Sequence, residues 1–364
     1  MTLPWHQRFS TTYAQARQRF LAAAAARGLA VETHVLPLPG VKGETLAMDV
    51  VLDGEPDAPH LVMTTSACHG IEGYCGSALQ TGLLQGGGGV APAGGGVAVL
   101  HVHALNPHGF SHGRRVTQEN VDLNRNFIDF SQPLPTNPGY ERIHALLLPP
   151  AWPPTAEVEA ALAVFRTEAG PRGWQAAVSQ GQYGQPGGMY FGGQAPTWSN
   201  AVFRDVLRRH VAPRRHLAWI DLHTGLGPRG VGERIFASID EGAALARARA
   251  WWGPAVTSVT AGTSNSIPLT GVLQFALADE CPGLEHTNVC LEFGTVPLPE
   301  MFEALRADHW LHLNPQADAP LAAAIRARIR QAFYPDGDDW RAEVWRQGLQ
   351  VHAQAVAGLQ GLPR

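Results

Sequence analysis

The chain has 364 residues, of which 45% are hydrophobic and 16% charged, with a formal net charge of -4. This is a globular composition rather than that of a disordered chain. The net charge of -4 with no basic tract argues against nucleic acid as the main partner. Length alone suggests about two domains, but chemistry-bearing motifs run through the whole middle of the chain. A single domain over residues 1–364 is therefore expected, with core motifs in 60–295 and a helical region in 299–364.

The opening stretch MTLPWHQRFSTTYAQ has no apolar segment after a basic start, so it does not read as a signal peptide. The alanine run at 22–26, between Arg19 and Arg27, is too short to span a bilayer. The expected location is the cytoplasm, without a membrane partner, and the oligomeric state is not legible. Residues 5–28 carry apolar side chains at helical spacing (Phe9, Tyr13, Ala16, Phe20), which predicts a helix capped by Gly28. Segments 31–38 and 46–53 read as strands of an edge hairpin.

LVMTTS, at 61–66, is the first run apolar enough for a central strand, and it breaks into His69-Gly70-Ile71-Glu72-Gly73. A histidine and a carboxylate three apart can aim at one point, and the glycines allow a sharp bend after the strand. A helix is expected from 76 to 85. The glycine-rich 86–96 lacks a GKS or GKT ending and leads into a strand, so it is read as a connection rather than a phosphate loop. Residues 97–105 form the second central strand, closed by the turn Asn106-Pro107-His108-Gly109.

Proline-rich 130–154 predicts surface loop with a short helix at 138–147, and a further helix is expected over 155–169. GQYGQPGGMYFGGQ, at 181–194, has no regular period and is expected to be an ordered loop over the site. A helix at 198–210 precedes the strand HLAWIDLH. ERIFASI, VTSVT and NVCLEF are further short strands, with helices near 241–252 and from 299 onward. From Arg341 the tail reads as an amphipathic helix carrying Val344, Trp345, Leu349 and Val356, able to pack on the core or on another subunit. The order strand, loop, helix, strand describes a three-layer α/β/α protein with a central twisted mixed sheet. The motifs sit at or just after strand ends, where ligands collect in open α/β sheets.

His69, Glu72 and His223, the last in WIDLHTG, make a plausible set of two histidines and one carboxylate for zinc, one ion per chain. Alone, HxxE is weak. RRVTQENVDLNRNF adds Arg114, Arg115, Asp122, Asn124 and Arg125, a concentration of guanidinium and amide donors that reads as an anion clamp. Glu292 ends the run VCLE, and a carboxylate at a buried strand end is costly without partners or work. It is the natural general base for a metal-activated water.

HGIEG, then RR with NVDLNRNF, then DLHTG, then LEFGT, in that order, resembles the zinc carboxypeptidase superfamily and its aspartoacylase and succinylglutamate desuccinylase group. The nearest likeness is to a bacterial branch of candidate metallopeptidases, over roughly residues 60–295. The resemblance implies that His69, Glu72 and His223 hold zinc and that Glu292 is the general base. It further implies that Arg115, with Arg114 as its fallback, polarises the scissile carbonyl. Asn124 and Arg125 would grip a substrate carboxylate, and Asp122 would orient His69. No tyrosine lies between His223 and Glu292, where digestive carboxypeptidases carry a mobile one; Tyr190 is an alternative hydroxyl. The nine-position step from Arg115 to Asn124 looks more like the acylase group.

The expected activity is cleavage of an amide next to a free carboxylate, in a short peptide or an N-acyl amino acid. A non-catalytic binding protein with the same fold and a zinc esterase or deacetylase are the alternatives. His101 and His103 form an HxH at a strand end, as in amidohydrolase barrels. That architecture needs a metal-bridging lysine, and Lys42 is the only lysine. Cys68 and Cys75 flank the first motif and are weighed as thiolate ligands, with packing the expected role; four cysteines in a chain this long make no disulfide framework. No GxSxG elbow occurs.

Overall fold

The computed structural model describes residues 4–86, 96–238 and 242–363. Among them eight strands form one mixed sheet: β1 (Glu32–Pro39), β2 (Thr45–Asp53), β3 (His60–Ser66), β4 (Val97–His103), β5 (His216–Gly225), β6 (Gly232–Phe236), β7 (Thr257–Ser258) and β8 (Glu285–Gly294). Their spatial order is β1-β2-β4-β3-β5-β8-β6-β7. The helices are α1 (Tyr13–Ala26), α2 (Gly73–Leu84), α3 (Pro107–His112), α4 (Pro138–Leu147), α5 (Ala156–Ser179), α6 (Trp198–Val206), α7 (Ala243–Trp252), α8 (Ala276–Glu280), α9 (Leu298–Leu313), α10 (Ala319–Phe333) and α11 (Asp338–Gln360).

Strands β3, β4, β5 and β8 run parallel, with β2 antiparallel to β4 and β6 antiparallel to β8. Parallel strands are covered on both faces, so their sequences read as continuous apolar runs; every residue of β3 and β4 is buried. On one face, α1, α2, α7 and α11 set Tyr13, Leu79, Ala248 and Val351 against the cluster of Val62, Ile220 and Val289. On the other, α6 and α8 bring Phe203, Val206 and Leu277 to Leu61, Leu100 and Trp219. The result is the three-layer α/β/α arrangement.

After β3 the chain steps to β4 on one side and later to β5 on the other. A reversal of this kind leaves a crevice at the carboxyl ends of the strands that flank it. His69 follows β3 and His223 lies near the end of β5, so the first and third motifs meet at that crevice.

Several boundaries differ from the sequence reading. The first helix is split: a single turn at Trp5–Arg8 precedes α1, whose N-cap Thr12 accepts from the Gln15 N–H. Helix α5 continues to Ser179, past a break where Gly170 takes φ 67° just before Pro171. VTSVT contributes only the two residues of β7. The edge hairpin and the helix at 138–147 stand where expected. Helix α11 buries Val344 and Val356 on the core, together with Trp340 and Val351, while Trp345 and Leu349 stay half-buried. Most of the glycine-rich 86–96 lies outside the described residues.

Candidate metal centre

Beyond β3, Ala67 takes a left-handed φ of 56°, and after extended His69 the chain winds into a single turn, Gly70–Glu72, that starts α2. The glycines of this motif serve close approach rather than bending. A Cβ on Gly70 would lie 2.0 Å from the carbonyl carbon of Gly109, and one on Gly73 2.6 Å from the Phe110 ring. The turn is pinned beside the arginine pair: the Gly70 N–H donates to the Arg115 carbonyl and the Ile71 N–H to that of Arg114.

On β5, Asp221 and His223 share one face because strand side chains alternate. Cys290 and Glu292 of β8 pair with them in register and so share that face. Glu72 reaches in between the two histidines: its carboxylate is 2.9 Å from His69 Nδ1 and 3.1 Å from His223 Nδ1, and accepts from the Thr224 N–H at 3.0 Å. One donor atom each from His69, Glu72 and His223 falls within 4.8 Å of the others. Each imidazole is held from behind by a buried carboxylate. His69 Nε2 lies 3.1 Å from Asp122 Oδ1, and the His223 Nε2–H donates to Asp221 Oδ2 at 2.6 Å. These anchors turn both Nδ1 atoms toward Glu72, as outer carboxylates do in metal sites. Glu292 completes the edge. It accepts from the Leu226 N–H at 2.9 Å, and a carboxylate oxygen, Cys290 Sγ and a His223 nitrogen lie within 4.8 Å of one another.

The arginine-rich segment divides its residues between two directions. Arg115 faces the cavity, bonded to Asp122 and Glu72, with its Nη2 2.7 Å from His69 Nε2. Arg114 turns away to Asp308 and Asn120 and does not line the cavity, so the structure corrects its place as a substrate-binding residue. Arg125 lines the cavity with three of its five N–H groups spent on the carbonyls of Ser179 and Asn124. Asn124 accepts from the Leu273 N–H. The Tyr190 ring lies between the two guanidiniums, 5.3 Å from that of Arg115 and 5.6 Å from that of Arg125. Its φ of 53° is strained for a non-glycine residue. The loop that carries it is stitched to 117–127: the Asp122 N–H donates to the Phe191 carbonyl and the Tyr183 hydroxyl to that of Arg125. Tyr190 alone of residues 181–194 lines the cavity, so this loop backs the site rather than covering it.

Among the described residues, four buried carboxylates, Glu72, Asp122, Asp221 and Glu292, share this cluster with two guanidiniums, Arg115 and Arg125, and two imidazoles, His69 and His223. Burial pushes each acid toward neutrality, and neighbouring charge decides the outcome. Asp122 is held well below the usual carboxylate range, because Arg115, Arg125 and the His69 ring outweigh its burial. Glu72 is lowered against its burial by His69 and His223. Glu292 goes the other way, raised to about 8 by burial and by the negative charge of Glu72. A divalent cation fits this set by the chemistry of its donors: two imidazoles anchored from behind, with a carboxylate between them, are ligands that zinc takes.

His101 and His103 lie elsewhere. His101 bonds the Thr64 hydroxyl and His103 that of Ser77 while stacking on Phe20, and burial lowers them to about 3 and about 4. They are neutral core histidines. Cys68 and Cys75 are buried away from the cavity lining. The cysteine at the site is Cys290, which the sequence reading passed over, along with Asp221. Both were signalled by strand alternation, as DxH in WIDLH and CxE in VCLEF.

A family model described as "Protein of unknown function (DUF2817)" matches residues 9–347. No curated protein matches. Among solved structures, carboxypeptidase A from Helicoverpa armigera is 13% identical, with a TM-score of 0.47 over 92% of this chain and 76% of that one. A candidate metallopeptidase from Shewanella denitrificans is 12% identical, with a TM-score of 0.39 over 96% and 91%. An aspartoacylase family protein from Mesorhizobium loti is 14% identical, with a TM-score of 0.36 over 79% and 67%.

Proposed function

The chain belongs to the DUF2817 family of proteins of unknown function, and from its own side chains we propose that it is a single-domain, zinc-dependent hydrolase cleaving an amide next to a free carboxylate. The observation that carries this reading is the convergence of His69 Nδ1, Glu72 and His223 Nδ1 on one point, with Glu292 on the same edge.

His69, Glu72 and His223 would hold the ion. When bound, zinc polarises a carbonyl and lowers the pKa of water to about 7. Glu292 takes the proton from the attacking water and returns it to the leaving nitrogen. Arg115, whose guanidinium lies beside Glu72, stabilises charge developing on the carbonyl oxygen. The two N–H groups left on Arg125, with the Asn124 amide, receive the substrate carboxylate. Tyr190, between the guanidiniums, shapes the space between carbonyl and carboxylate. Asp122 and Asp221 keep the imidazoles aimed. The substrate is a small molecule or a short peptide rather than a nucleic acid or a membrane. No helix among the described residues is long and apolar enough to cross a membrane; a cytoplasmic location is part of the proposal.

Elemental analysis of protein purified without added metal tests this reading, with wild type and His69→Ala compared. The expected result is about one zinc per chain, lost in the variant. Glu292→Gln should then abolish hydrolysis of N-acyl amino acids and dipeptides while keeping the metal. A wild type that takes up no zinc would leave only a binding protein.

A further inference from the structure

The cavity in front of the metal centre has a volume of about 980 Å³. This is the upper end of the roughly 300–1,000 Å³ that pockets for drug-sized ligands span. An acetylated amino acid would leave much of it to water against apolar walls. Those walls include Leu162, Trp174, Ile267, Leu269, Met301 and Phe302.

Several polar side chains of the lining are engaged with each other or with the backbone. Arg306 donates to Glu159 and Glu303 and to the carbonyls of Leu146 and Leu147. Gln175 donates to the Asn265 carbonyl, Ser266 to that of Ile267, and Gln274 to Asp221. A peptide laid along such walls would bury amide groups with few partners, at the cost of burying unpaired polar groups. A hydrocarbon chain has no such groups, and its burial is favourable along the whole wall.

From this we propose that the substrate is an N-acyl amino acid with a long aliphatic acyl chain. The amino-acid carboxylate lies on Arg125 and Asn124, and the chain runs along Leu162, Trp174 and Phe302. The inference rests on the hydrolase reading for its reaction. Water adds across the amide, the C–N bond breaks, the hydroxyl goes to the acyl carbon as a fatty acid, and the proton goes to the nitrogen as a free amino acid.

The test has two arms that separate the inference from that reading. In the first, kcat/KM of the zinc-loaded protein is compared for N-acetyl-, N-octanoyl- and N-dodecanoyl-leucine below their micelle concentrations. The transfer free energy of a methylene predicts a rise of about fourfold per added CH₂ until the wall is filled. Ala163→Trp, which narrows the same wall, should lower the dodecanoyl-to-acetyl ratio by about sixteenfold, the loss of two such methylene contacts. In the second, calorimetry on Glu292→Gln measures binding of the same three compounds and of acetyl-phenylalanyl-leucine, without turnover. Tighter binding with chain length supports the inference even when no compound is hydrolysed, an outcome in which the hydrolase reading alone fails. Equal binding of the acetyl and dodecanoyl compounds, or binding of the blocked dipeptide as tight as that of the dodecanoyl compound, overturns it.

Discussion

Asp221→Asn separates the support of the site from its ligands. Asp221 is fully buried: its Oδ2 accepts from His223 Nε2 at 2.6 Å and from Gln274 Nε2 at 3.2 Å, and its Oδ1 from the Thr65 hydroxyl at 2.6 Å. Thr65 in turn accepts from Trp219 Nε1. In the asparagine variant, the remaining oxygen can keep the His223 and Gln274 bonds, but the bond to the imidazole loses its ionic assistance. The new NH₂ meets the Thr65 hydroxyl, which must turn and give up its acceptor. Loss of a carboxylate behind a metal-binding histidine costs about 10–100-fold in affinity, or roughly 1.4–2.7 kcal/mol. The displaced hydroxyl adds about 1 kcal/mol to the loss of fold stability. Competition with a chromophoric chelator would give the zinc affinity, and urea unfolding of both apo proteins the stability. An unchanged zinc affinity in a folded variant would refute the claim that Asp221 aims His223 at a metal.

The paired arginines should separate under substitution. Arg115→Ala should lower kcat by about 10²–10³, whereas Arg114→Ala should leave turnover and cost roughly 3 kcal/mol of stability by stranding buried Asp308; urea melts and steady-state kinetics read the two. Gly70→Ala forces a methyl into the backbone at Gly109 and should cost about 3 kcal/mol, seen as a lower denaturant midpoint at unchanged slope. His101→Ala should destabilise the core yet leave zinc per folded chain as in wild type, while His223→Ala should remove it. On the edge strand, Glu32 is held at about 2 against its partial burial by Arg209, His210 and His34. A depressed carboxylate stabilises the fold above its unfolded pKa, here the ordinary 4.5, and that contribution fades as pH falls toward about 2. Wild type should therefore lose stability over this window more steeply than Glu32→Gln, as acid titration at fixed urea would show.

Part of the layout of the candidate site was legible in the sequence because it is local. The HxxE at a strand end places His69 beside Glu72 by the winding of a single turn, whereas the DxH and CxE that carry Asp221 and Cys290 follow the two-residue period of a strand and were not read from it. The apolar runs of β3 and β4 marked buried central strands, and strand ends gave the common edge. Three things required the folded chain. Whether Arg114 or Arg115 faces the cavity depends on Asp308, which is distant in sequence and draws Arg114 away. The glycines of the first motif answer to the backbone of Gly109 and the ring of Phe110, contacts no local pattern records. The volume and apolar lining of the cavity come from α5, α9 and the stretch 259–275 closing on one another. Spacing along a strand fixes which side chains share a face; only packing between distant elements fixes how much room they share and what walls it.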